Sequence, residues 1–199
     1  MVMSLEDRVT ALERRYAVLE RIVELVAPAY RLVMSWPVGD ITRRTLLPWW
    51  SAVGFCEIYR DDQFHTGEDF NLAAYKDTGA EVYAVADGTV RFAGRVDAAW
   101  LSVVVIEHRY DDGRSLWSRY AHVDPIGLGL LMPGVAVKRG GLIGHIADYG
   151  AAGPAGDHLH FDLAWCDLGV VPGDWPGTDN ARVLRDYASP LPMILGHLP

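Results

Sequence analysis

What this sequence lacks narrows its reading before any motif is found. It contains no run of about 18 apolar residues, so no membrane-spanning helix is expected. The opening residues, Met1-Val2-Met3-Ser4-Leu5-Glu6-Asp7, lack the basic-then-apolar order of a secretory signal, so no export route is visible. Basic residues are in deficit, with 18 Lys and Arg against 26 Asp and Glu and a formal charge of -8. That balance excludes non-specific nucleic-acid binding, which needs cations to displace counterions from phosphates. Cysteine is scarce. Cys56 and Cys166 lie far apart and form no CxxC pair, so two free thiols are expected, with a single bridge as the alternative. No internal repeat is found. Hydrophobic residues make up 50% and charged residues 22%, which is ordinary globular composition and not that of a disordered chain. A length of 199 residues suffices for one well-buried domain plus a small additional segment.

The additional segment is at the start. Leu5, Val9, Leu12, Tyr16, Leu19, Val23 and Val26 alternate four and three apart, the seam of a coiled coil or of an amphipathic helix lying on its own domain. Mixed charges fill the other faces, and Pro28 should end or kink the helix. The expected division is a helix over 1–34, a linker and first strand over 35–62, and a main domain over 63–199. Residues 5–26 would pair with a second copy or a partner helix. In the linker, Trp36, Trp49 and Trp50 read as buried anchors, and the first strand is placed near Val53 to Tyr59.

From Glu81 onward the pattern is strand, turn, strand. Glu81 to Ala86 and Thr89 to Ala93 flank Asp87-Gly88, a strong hairpin signal. Leu101 to His108 is nearly continuous in apolar residues, and Asp111-Asp112-Gly113 turns it into Ser115 to His122. Val135 to Lys138, Leu142 to Ala147 and His158 to Trp165 follow, and Val183 to Leu195 reads as helix or turn. The expected architecture is mainly β, an antiparallel sheet.

Three segments stand out chemically: His65-Thr66-Gly67-Glu68-Asp69, Tyr120-Ala121-His122 and His158-Leu159-His160. Residues two apart on a strand share a face, so His158 and His160 can point to one place. His65 and Asp69 offer an imidazole and a carboxylate four residues apart, with Gly67 between them. Catalytic zinc commonly takes three protein ligands and keeps a fourth position for water. His65, Asp69 and one histidine of the 158/160 pair would make that set. The other histidine and His122 would then serve as proton carriers, a role an imidazole of ordinary pKa suits. The spacing does not say which of the pair binds the metal.

These segments, in this order, resemble the lysostaphin-like (LytM-type) zinc endopeptidases. So do Gly79 to Val90, Ser118 to His122, Val137 to Gly144 and His158 to Asp162, covering roughly residues 63 to 165. The resemblance implies one Zn2+ per chain held by His65, Asp69 and His160, with His122 and His158 as the catalytic pair. It also implies an open groove in a twisted antiparallel sheet, and a substrate in the peptides of bacterial peptidoglycan, so that the protein would act on the cell wall. Asp157 stands where the family usually has proline, the connection Asn71 to Thr78 is long and polar, and Asp124 to Pro133 is apolar and glycine-rich. These loops would border the groove and bear on substrate preference. Two other functions share the outline: a metal-free relative that binds and activates other wall hydrolases, and an assembly protein of a phage or cell-wall machine built on its coiled coil. All five key residues are present, which favours the enzyme.

Overall fold

The computed structural model describes residues 32–40, 45–60, 62–72, 77–127, 130–149 and 156–198. The heptad seam, and with it nearly all of the helix expected over 1–34, lies outside the described residues. The body of the molecule, Leu32–Pro199, is a compact unit of its own.

Along the chain the strands are β1 (Trp49–Ser51), β2 (Ile58–Arg60), β3 (Gln63–Phe64), β4 (Glu68–Leu72), β5 (Glu81–Tyr83), β6 (Gly88–Asp97) and β7 (Leu101–Arg109). They continue as β8 (Ser115–Ala121), β9 (Val123–Pro125), β10 (Ala136–Val137), β11 (Leu142–Ile146) and β12 (Leu159–Ala164). Helix α1 (Asn180–Asp186), strand β13 (Tyr187–Ala188) and helix α2 (Pro190–His197) close the chain. The main sheet has the order β1-β4-β12-β8-β7-β6-β10, with β13 also paired to β12. A second sheet has the order β5-β11-β9, and β2 pairs with β3 in a two-stranded one. Every pairing among them is antiparallel.

The alternation of side chains explains why the main sheet carries both a core and a site. On β12, Leu159, Phe161 and Leu163 enter the larger hydrophobic cluster with Phe70, Tyr120, Val104 and Ile106. Ala164 belongs to a smaller cluster with Trp100, Val103, Val105, Ala121, Leu168 and Tyr187. His160 and Asp162 share the parity of Ala164 and so the same face. The continuous apolar run of β7 is accounted for in the same way, because Val103 and Val105 fill one cluster while Val104 and Ile106 fill the other. A strand covered on both faces has no polar positions to alternate with.

Three expectations are corrected. Glu81 to Ala86 does not form a hairpin with Thr89 to Ala93: β5 pairs with β11, and β6 pairs with β7 and β10. Residues 84–87 instead carry the chain from the small sheet to the large one. Ala84 exchanges backbone bonds with Gly140 and Gly141, and Asp87 accepts from the Arg139 N–H at 2.8 Å. Gly88 is absent from the positive-φ residues, so it does not form the turn that the Asp-Gly pair suggested. It permits close packing, since a Cβ there would lie 2.5 Å from the Glu107 carbonyl oxygen. The first strand is displaced from Val53–Tyr59 to Trp49–Ser51, where it pairs with β4. The compact unit begins at Leu32, and Leu32, Met34, Trp36 and Val38 are buried in the larger core. Trp49 is buried as anticipated, while Trp50 is exposed. Both cysteines are free.

Candidate metal centre and active site

Sheet register assembles the site. Asp69 on β4 stands directly opposite His160 on β12, and Ala121 at the end of β8 flanks His160 on its other side. Directly opposed residues of an antiparallel pair bring their Cβ atoms within about 5 Å, so the carboxylate and the imidazole meet without a special loop. His65 precedes β4 and is fixed by two backbone bonds, its N–H to the Glu57 carbonyl and its carbonyl to the Cys56 N–H, both 2.8 Å. Gly67 lets the approach to β4 pass close over β12. A Cβ at that position would collide with the Phe161 carbonyl oxygen and come 2.7 Å from Asp162 Oδ1.

Three atoms converge. His65 Nε2 lies 3.0 Å from His160 Nδ1 and 3.1 Å from Asp69 Oδ1, and His160 Nδ1 lies 2.9 Å from Asp69 Oδ1. All three residues are buried, and together they form a group that could hold a metal ion. The donor set, two imidazole nitrogens and one carboxylate oxygen, fits zinc. Tetrahedral zinc with ligands at about 2.0–2.1 Å needs ligand atoms roughly 3.3 Å apart, so the triangle has to widen by only a few tenths of an ångström. The outward nitrogens are engaged as well. His65 Nδ1 lies 3.3 Å from the Gly54 carbonyl oxygen, and His160 Nε2 lies 2.9 Å from Asp162 Oδ2.

The electrostatics follow from this crowding. Burial would raise the Asp69 carboxyl, but the His160 and His65 hydrogen bonds overcome it and hold the group well below the usual carboxylate range. Burial would likewise lower His160, but Asp162 and Asp69 on its two sides push it up to about 9.

His158 and His122 lie beside the triangle and are the least buried of the five, their rings 4.7 Å apart. His158 Nδ1 lies 3.1 Å from the Gly156 carbonyl, to which it donates, and Nε2 lies 3.6 Å from Asp69 Oδ1. His122 occupies the left-handed region with φ 60°. It is the bend where β8 leaves the main sheet and β9 enters the small one, and its carbonyl accepts from the Ala147 N–H at 2.9 Å. Burial, then the neighbouring His158 and His160, lower the His122 imidazole to about 3. It is therefore neutral at neutral pH and not a group that protonates near pH 6. His122 Nδ1 is buried and has no hydrogen-bond partner among the described residues.

The sequence pattern of Peptidase family M23 matches residues 63–172, more than half of the chain and inclusive of all five residues. The chain belongs to Peptidase family M23. The antimicrobial peptidase lysostaphin from Staphylococcus simulans superposes with a TM-score of 0.53 at 18% identity, over 75% of this chain and 51% of that one. A chain of the SpoIIIAH and SpoIIQ complex gives 0.54 at 20% identity, over 80% of this chain and 99% of that one. A zinc-containing peptidase from Vibrio cholerae gives 0.50 at 28% identity, over 67% of this chain and 37% of that one. This chain thus spans about half the length of lysostaphin. No curated protein matches it.

In this member of family M23 several residues complete the site without having been given a role from the sequence. Asp162 lies two residues beyond His160 on the same strand face, and Arg119 on β8 is its register partner. The spacing His-x-His-x-Asp was the available signal. Trp100 and Trp175 are less legible, because both lie outside the motifs. Trp100 presents its edge to His160 at 5.3 Å between centroids, and Trp175 lies 5.9 Å from His160 and 6.0 Å from His65. Asp157, the departure noted above, ties the neighbouring loops together: it accepts from the Tyr149 N–H at 2.7 Å and from the Thr78 hydroxyl. The Tyr149 ring in turn packs edge-on against His122 at 5.0 Å. His108 is buried away from this cluster, between the Asp87 carbonyl and the Ser118 hydroxyl, and His197 lies in α2 with Nδ1 2.7 Å from the Met193 carbonyl oxygen.

Proposed function

We propose that this chain is a zinc-dependent endopeptidase that hydrolyses peptide bonds in bacterial peptidoglycan. The observation that supports it most is the triangle of His65 Nε2, Asp69 Oδ1 and His160 Nδ1, buried on one sheet face in a chain of family M23. These three atoms would hold one Zn2+ per chain. Bound there, the ion would polarise a substrate carbonyl and make water available as a nucleophile at neutral pH.

The protein's own groups do the remaining work. Asp69, held charged, partly offsets the ion and keeps the two imidazoles in place. His158, with its N–H fixed on Gly156, presents Nε2 as a lone pair that can take a proton from water and return it to the departing amine. His122, neutral at the edge of the triangle, is suited to hydrogen-bond the oxygen on which charge develops. Trp100 and Tyr149 pack beside His122, and Trp175 packs beside His65, so aromatic rings border the site. The deficit of basic residues fits recognition by local contacts with the peptide and not by a cationic surface held to anionic wall polymers.

The test is digestion of purified peptidoglycan from several wall types, with products identified by mass. New peptide amino termini are expected, lost on chelation, restored by zinc and absent in His160→Ala. A protein that takes up zinc and binds the wall but releases no peptide would instead be a binding module. A protein that cannot be loaded with zinc would falsify the enzyme reading.

A further inference from the structure

The least expected residue on the site face is Arg119. It is an arginine with no exposed surface, in the middle of β8, and its carboxylate partner Asp162 is equally buried. Arg119 Nε and Nη2 both lie 2.5 Å from the same oxygen, Asp162 Oδ2, and that oxygen is the one that receives His160 Nε2 at 2.9 Å. Nη1 donates to two backbone carbonyls of the segment after β12, Pro172 at 3.1 Å and Asp174 at 2.8 Å. The guanidinium plane also packs on Trp100, 4.1 Å from the ring centroid.

Stability does not explain such a pair. Taking both charges out of water costs about as much as their attraction returns, and a well-packed apolar pair in the same space is often no less stable. What an apolar pair could not do is hold His160. The imidazole is clamped at both nitrogens, Nε2 on Asp162 and Nδ1 towards Asp69 and His65. Donation from Nε2 to a carboxylate fixes the tautomer that leaves Nδ1 as the lone pair, and Nδ1 is the atom in the triangle. Arg119 holds Asp162 from behind. The same guanidinium also secures the 172–174 backbone, which leads into Trp175, and Trp100, the two indoles beside His160.

We infer that Arg119 and Asp162 are positioning residues for the metal centre, with Asp162 fixing the tautomer and orientation of His160 and Arg119 fixing both Asp162 and the aromatic wall. The inference rests on the zinc reading above. It assigns the two residues different consequences. Asp162 meets the metal centre at His160, so its loss weakens zinc. Arg119 acts through His160 and through the wall, so its loss weakens zinc and also the fit of a peptide beside Trp100 and Trp175.

The experiment compares the full-length wild type with Asp162→Asn and Arg119→Lys, each stripped of metal and titrated with zinc against a chromophoric chelator. Outer partners of metal-bound histidine are typically worth about 10–100-fold in metal affinity, and a loss of that size is expected for Asp162→Asn. Arg119→Lys keeps the charge but cannot fork, and is expected to lose less zinc affinity while raising KM on a soluble wall peptide. Long-range 15N–1H correlation of the imidazoles supplies a second readout. With both proteins metal-free and at alkaline pH, His160 should show a single tautomer protonated at Nε2 in the wild type and a mixture in Asp162→Asn. Thermal unfolding of the metal-free proteins shows whether each variant is folded. If Asp162→Asn unfolds, Asp162→Glu replaces it, and recovery of wild-type zinc affinity there is the expected result. Wild-type protein that takes up no zinc would defeat the enzyme reading itself. Wild type that binds zinc, with Asp162→Asn binding as tightly and His160 unchanged in tautomer, would overturn only the positioning role.

Discussion

The two histidines beside the triangle make the most direct demand on experiment. Neither His122 nor His158 belongs to the group of three that could hold the metal, yet their rings face one another 4.7 Å apart at its edge. Replacing either with alanine should lower turnover by roughly 10²–10⁴-fold while zinc content stays at one per chain. Parallel measurement of rate and bound zinc checks this, and zinc loss equal to that of His160→Ala would reverse the assignment. A second residue-scale prediction concerns His108, which has no part in the site. It is fully buried as the neutral imidazole, with Nδ1–H donating to the Asp87 carbonyl and Nε2 accepting from the Ser118 hydroxyl. Burial lowers its pKa from 6.5 to about 4. Between those values the unfolded chain binds a proton that the folded one refuses, so stability is undiminished above pH 6.5 and falls as pH drops towards 4. Two and a half pKa units correspond to about 3 kcal/mol. Urea unfolding at pH 7, 5.5 and 4 should show this loss in the wild type and a shallower one in His108→Gln, even if that variant starts less stable. Equal slopes would place the buried charge cost elsewhere, His122 being the other histidine lowered by burial.

At the scale of the elements, legibility in the sequence tracked the period of the side chains. Strands β7, β8, β11 and β12 lie within a residue or two of where alternation and turn residues placed them, because each has a face in the core that dictates its register. Strand parity suggested a shared face for His158 and His160, and motif order added His65 and Asp69; the structure brings His65, Asp69 and His160 together. Choosing His160 over His158 needed the resemblance, because parity treats the two alike; in the structure the difference is that His160 lies opposite Asp69 while His158 precedes the strand. Asp87-Gly88 misled because the dipeptide reports only a local preference, whereas β5 is drawn to β11 by a pairing some sixty residues away. The two accounts of Gly88 differ in a measurable way. In a type I′ turn asparagine would replace it with little loss. In the packed position found, any side chain meets the Glu107 carbonyl at 2.5 Å, Ile106 Cγ2 at 2.6 Å and His108 Nδ1 at 2.7 Å. Gly88→Asn should therefore cost at least the 1–3 kcal/mol typical of overpacking, while Gly113→Asn, at φ 85° with open space around it, should be nearly neutral. Chemical denaturation of the two variants decides between them.

For the molecule as a whole, the boundary of the working unit is the open quantity, and the core places it. Among the described residues no helix is long and apolar enough to cross a membrane. Leu32, Met34, Trp36 and Val38 are buried in the same cluster as Phe161 and Tyr120, whose strands carry the site on their other face. The Met34 N–H donates to the His197 carbonyl at the end of α2, and the Ser35 N–H donates to the Val85 carbonyl, each within 2.8 Å. The segment after residue 31 thus joins the two ends of this unit's chain across one core. A chain starting at Leu32 should keep its zinc, its melting temperature and its cleavage of a small peptide. A chain starting at Ser35 loses Leu32 and Met34, each buried apolar side chain contributing on the order of 1.5–3 kcal/mol, and one backbone hydrogen bond besides. That is several kcal/mol from a fold whose total stability is of order 5–15 kcal/mol, enough to lower its melting temperature by roughly 10 °C or more. Differential scanning calorimetry on the zinc-loaded proteins compares them directly. Equal melting temperatures for the two would mean that residues 32–34 only cover the core. A collapse of both, with zinc still bound by the full chain, would mean that residues 1–31 are required to hold the sheet face on which His65, Asp69 and His160 meet.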